Sequence, residues 1–142
     1  MPQIGIRRGA LALLASLTFA CSFPGLPAAE EGWSTHSDSG RLAGRLTPES
    51  GAAVVGQFQI WILELRDASG VAVAGADLAI TGGMPFHGHG LPTQPRVSEE
   101  LAGGRYRIEG VKLNMYGDWV IEVVVQTATF RDRLRFDLAI DF

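Results

Sequence analysis

Phe58-Gln59-Ile60-Trp61-Ile62-Leu63-Glu64-Leu65-Arg66-Asp67 reads with a period of two rather than a helical one. Phe58, Ile60, Ile62 and Glu64 fall on one face, and Gln59, Trp61, Leu63 and Leu65 on the other. Both faces are apolar around Trp61, as expected of a strand in the middle of a sheet. Arg66-Asp67-Ala68-Ser69-Gly70 then makes a turn, with Gly70 able to take a positive φ at little cost. The chain is expected to fold back through residues 71–74 and then 76–81.

The same grammar continues outward. In residues 105–111, Tyr106, Ile108 and Val111 face inward against outward Arg and Glu, a half-buried strand. Residues 119–125 place Trp119, Ile121, Val123 and Val125 on one face, and their β-branched content favours a pleat over a helix. Residues 130–140 close the chain, with Leu134, Phe136, Leu138 and Ile140 on one side and Arg133, Arg135, Asp137 and Ala139 on the other. Short strands with turn signals between them, and no sustained helical spacing, predict an all-β, immunoglobulin-like β-sandwich of about seven strands. The cysteine pair of antibody domains is missing, so the expectation concerns architecture alone.

Ahead of this domain the chain changes character. Arg7 and Arg8 precede an apolar run over residues 10–23 and then a stretch broken by Pro24 and Pro27, the layout of an N-terminal signal peptide over residues 1–29. The run is about 14 residues, short of the about 20 needed to cross a bilayer as a helix, so no transmembrane helix is expected in the mature chain. Export to a periplasmic or other extracytoplasmic compartment follows. Cys21, the one cysteine, lies inside the signal, and its lipidation is the alternative, although Thr18 and Phe19 suit a lipobox poorly. Residues 30–40 are polar and aperiodic and read as a flexible leader, which leaves residues 41–142 as one domain. After residue 29 stand ten basic and fifteen acidic side chains, a balance that argues against a nucleic-acid partner.

One region breaks the strand pattern. Gly82-Gly83-Met84-Pro85-Phe86-His87-Gly88-His89-Gly90-Leu91-Pro92 carries two of the three histidines beside a methionine, and Met115 lies in the turn before Trp119. Thioether sulfur selects soft ions such as Cu(I), and imidazole suits copper, zinc and nickel, so a Met and His set points to copper. In an extended segment His87 and His89 would face one side. Met84, His87, His89 and Met115 are the candidate metal ligands, provided the two loops meet. A purely structural reading stands beside this one: Met84 as a core plug and the histidines as hydrogen-bonding partners of loop carbonyls. His36, in the leader, reads as solvated.

Other chemistries find little here. There is no phosphate-binding glycine loop, no second cysteine, and no Gly-x-Ser-x-Gly setting for a nucleophile. Glu99 and Glu100 read as a solvated turn, and Tyr106 and Trp119 as core anchors whose polar atoms reach backbone acceptors. No enzymatic activity is expected.

The pieces Trp61 to Asp67, Gly70 with Val73 and Gly75-Ala76, Met84-Pro85-x-His87-x-His89-Gly90, Gly104-x-Tyr106 and Met115-x-Gly117-x-Trp119 resemble, in order and spacing, the YtkA-like domain and its FixH-like relatives. The resemblance spans about residues 57–140. It implies an extracytoplasmic immunoglobulin-like domain often found beside copper handling or copper-oxidase assembly, with copper-handling or envelope proteins as partners. Met84, His87, His89 and Met115 fall on its characteristic positions. The expected function is therefore copper binding for handling or delivery, and the alternative is a non-metal interaction module of the cell envelope.

Overall fold

The computed structural model describes residues 31–142; the expected signal segment with Cys21 lies outside the described residues. The strands are β1 (Trp33–His36), β2 (Leu42–Pro48), β3 (Gln59–Asp67), β4 (Asp77–Met84), β5 (His89–Gly90), β6 (Arg96–Leu101), β7 (Arg105–Val111), β8 (Gly117–Gln126) and β9 (Arg131–Ile140). They form two antiparallel sheets, β1-β2-β3-β7-β6 and β5-β4-β8-β9. The chain is thus an all-β sandwich with nine strands among the described residues, against about seven expected.

Alternation places the core. Trp61, Leu63 and Leu65 of β3 are buried, and β3 lies at the centre of its sheet, as its two apolar faces require. Tyr106 and Ile108 join them from β7, with Leu42 and Leu46 from β2. The other sheet contributes Trp119, Ile121, Val123 and Val125 from β8 and Leu134, Phe136, Leu138 and Ile140 from β9. Each such side chain contributes about 1.5 to 3 kcal/mol on burial. The Tyr106 hydroxyl is satisfied, donating to the Val73 carbonyl at 2.9 Å and accepting from the Ala76 N–H at 3.2 Å.

Three local expectations need correction. The flexible leader contains an ordered strand: β1 pairs with β2 from Trp33↔Leu46 to His36↔Ala43, and Trp33 stacks on Trp61 with ring centres 5.3 Å apart. His36 itself is exposed. Residues 71–74 make only the single bridge Arg66↔Ala72, and the chain then crosses to the other sheet, where β4 pairs with β8. Glu99 and Glu100 are not a turn but part of edge strand β6, opposite Arg107 and Tyr106.

The β1-β2 hairpin also ties the two sheets together along β9. Ser37 bridges Leu134, the Asp38 N–H donates to the Arg133 carbonyl at 2.9 Å, and Asp38 and Arg133 form an ion pair at 2.8 Å. Asp132 anchors this seam by accepting from the Ser39 hydroxyl and, at 2.9 Å, from the Arg133 N–H. Burial pushes its carboxyl up, but the hydrogen bonds from Ser39, Ser37 and Arg133 outweigh burial and hold it below the ordinary carboxylate range. A depressed folded-state value means stability that is complete above the unfolded value near 4 and is lost as pH falls through and below it. In urea unfolding followed between pH 7 and pH 2, Asp132→Asn is expected to flatten part of the acid loss; an acid limb identical to that of the parent would remove Asp132 from the seam.

Candidate metal centre

The end of the sandwich where β7 runs into β8 gathers the turns over residues 49–58, 85–95 and 112–116. The first and last of these are joined by the Gly56 N–H donating to the Leu113 carbonyl at 2.7 Å. This tip holds all four candidate ligands.

Met84 is the last residue of β4 and is fully buried. It pairs with His89 across β4 and β5, and directly opposed residues of antiparallel strands point to the same face. Gly83 pairs with Val120, so Met84 runs beside Trp119, which in turn pairs with Leu138. His89, Met84, Trp119 and Leu138 therefore form one row across the inner face of the four-stranded sheet. The His89 ring completes it by packing at a steep angle of 70° against Trp119, with centres 5.9 Å apart.

Glycine makes this corner possible. A Cβ on Gly83 would lie 2.3 Å from the His89 carbonyl oxygen and 2.8 Å from the Gly90 Cα, so any side chain there would force β5 off β4. Pro85 then opens a single 3-10 turn, Pro85–His87, which Gly88 ends at a φ of 67°, in the left-handed region. The expected extended segment is thus replaced by a tight turn. It still sets the His87 and His89 ring centres 6.0 Å apart. An imidazole nitrogen sits about 2.0 Å from a bound ion with its ring centre about 1 Å beyond, so two rings sharing an ion lie within roughly 6 Å.

The His89 Nδ1 faces the Gly90 carbonyl at 3.1 Å, and the ring as a whole remains exposed. Met115 is partly exposed on the turn before β8, and its carbonyl accepts from the Trp119 indole N–H at 3.0 Å. Gly117, two residues on, contacts the Met84 methyl: a Cβ there would meet it at 3.0 Å. The structure thus pairs Met84 with His89, brings His87 beside His89, and links the Met115 turn to both through Trp119 and Gly117. Among the described residues no group of three or more His, Cys, Asp or Glu side chains converges to hold a metal ion. An ion at this tip would rest on imidazole and thioether donors, a set that fits soft copper better than harder divalent ions.

Sequence reasoning assigned Trp119 to the core alone. It is a core residue and also the wall against which His89 rests; the Met115-x-Gly117-x-Trp119 spacing was the signal for this second role.

A two-sheet sandwich with a Met and His turn at one tip is the class that fold and site define. Residues 36–124 match the YtkA-like family, and the chain belongs to it. No curated protein and no solved structure matches the chain.

Gly83→Ala is expected to lower stability by about 1 to 3 kcal/mol and to shift the His89 ring protons as the ring leaves Trp119, both read by denaturation and proton NMR. Gly90→Ala, whose Cβ would meet nothing nearer than the Gly82 carbonyl oxygen at 3.4 Å, serves as the tolerated control. Equal effects of the two substitutions would refute the close-approach argument.

Proposed function

We propose that this YtkA-like domain is an exported copper-handling module, a binding rather than a catalytic protein, that takes up copper at the tip through Met84, His87 and His89 with Met115 alongside. The observation that carries the reading is the pairing of a buried thioether with an imidazole on one face, Met84 opposite His89, with a second imidazole 6.0 Å from the first. The donors are neutral and include soft sulfur, which favours Cu(I). A His89 ring that packs against Trp119 and a buried Met84 would lower the conformational entropy lost when an ion is captured. Export is supported by the charged, apolar and small-residue layout of residues 1–29. A periplasmic or similar compartment would bring such a domain to copper-handling or envelope partners.

Titration of the protein with Cu(I) against a competing chelator should give one equivalent. His89→Ala and the volume-conserving Met84→Leu should each weaken uptake at least about tenfold, the lower end of what losing even an outer-shell partner costs. Met115→Leu reports whether the second sulfur joins the set. A stoichiometry near zero, or an affinity indifferent to both His89→Ala and Met84→Leu in folded variants, ends this reading.

A further inference from the structure

Exposed apolar side chains are not scattered over this molecule. Among the described residues, seven large hydrophobic side chains stand exposed, and six of them, Val54, Phe58, Phe86, Met115, Tyr116 and Phe142, lie at the tip. Val71 alone sits at the far end. Phe86 and Phe58 are 88% and 70% exposed, too much for residues that merely edge a core. The turn bearing Val54 and Phe58 is bonded to the turn bearing Met115 and Tyr116 through Gly56 and Leu113, and Phe86 stands at the same end on the Pro85–His87 turn, beside Asp118 and Val120 of β8. Tyr116 packs on Phe142 with ring centres 4.4 Å apart and planes tilted by 33°, and Lys112 lies 5.0 Å over the Phe58 ring.

Two further observations say what such a tip faces. Chain direction is the first. Glu31 enters at this same end, its N–H donating to the Gly51 carbonyl at 2.9 Å and its carboxylate accepting from the Ala53 N–H at 2.6 Å. The apolar run over residues 10–23 therefore joins the domain at the tip, separated from Glu31 by residues 24–30. Fully extended, that spacer reaches roughly 25 Å. On the export reading proposed above, on which this step rests, an apolar run seated in a bilayer would hold the aromatic tip as the part of the domain nearest to the lipid. Charge is the second. The tip turns carry Lys112 and Glu49, with Arg96 and the acids Glu31, Asp118 and Asp141 beside them, so acids outnumber lysine and arginine there and no cationic excess draws the tip to an anionic surface.

We propose that this tip is a lipid-facing surface, which seats Phe58, Phe86 and Tyr116 in the interface of a zwitterionic bilayer. Tyrosine suits that zone, its ring buried and its hydroxyl wet, and the phenylalanine rings add apolar area at the boundary with the acyl chains. The inference goes beyond copper uptake and does not depend on it, since every measurement below is made without metal.

The test uses the full chain in a Cys21→Ser background, with a single environment-sensitive dye on Asn114→Cys at the tip or on Ala68→Cys at the opposite end. Both sites are exposed. With phosphatidylcholine vesicles whose acyl chains carry bromine, the tip dye should be quenched and blue-shifted and the far dye should not. Adding phosphatidylglycerol should bring no tighter binding. Phe58→Ser combined with Phe86→Ser, folded by circular dichroism, should require at least about tenfold more lipid for the same quenching. The proposal is overturned by equal quenching at both sites, by no quenching at either, or by binding that needs phosphatidylglycerol. It is also overturned by tip quenching indifferent to the two serines, which would leave the N-terminal run alone responsible. Concentration-dependent self-association that hides the tip dye without lipid would assign the surface to a second copy of the chain and refute the bilayer.

Discussion

The close approach of three strands at Gly83 governs this end of the molecule. With no side chain at residues 82 and 83, β5 folds back onto β4 on one side while β8 runs beside it on the other. Met84 is then the last side chain β4 can send into the core, and His89 comes opposite it as a geometric consequence. A bulkier pair of residues would have ended β4 earlier, and neither the buried thioether nor the imidazole beside it would have a fixed place. The core keeps the row rigid from the other direction. Trp119 is buried, bonded through its indole N–H to the Met115 carbonyl at 3.0 Å, and supplies the surface on which His89 rests.

Much of the fold was legible because a half-buried strand writes its inner face into alternate positions. Trp61, Leu63 and Leu65, Tyr106 and Ile108, and the alternate residues of β8 and β9 were all readable in this way, and all are buried. What alternation cannot carry is partnership. The crossing of β4 from β3 to β8 depends on contacts distant in sequence, so a turn at Gly70 looked like the bend of a hairpin. Trp33–His36 is short and half polar, and it becomes a strand because β2 offers backbone partners and Trp61 offers a ring to stack on. The acidic pair Glu99 and Glu100 resembled a solvated turn because an edge strand, wet on its outer side, tolerates charge.

The tip was legible in composition and not in geometry. Clustering of Met and His in a donor-poor chain was visible at once, but the proximity of His87 and His89 was attributed to an extended backbone. It arises from a 3-10 turn closed by Gly88, a different backbone with a similar result. Met84 is a core residue, and its register opposite His89 keeps the ligand reading compatible with that packing.

Charge limits which ion such a corner would tolerate. Thioether and neutral imidazole bring no negative charge, and among the described residues no carboxylate gathers with the two histidines to supply it. The solvation that an ion forfeits on entering a low-dielectric site grows with the square of its charge, so a divalent ion faces about four times the penalty of a monovalent one. Many divalent sites offset that penalty with thiolates or carboxylates, or with three imidazoles, and among the described residues no such group of three is brought together. An ion held there as proposed would therefore be a soft one of single charge rather than a divalent one.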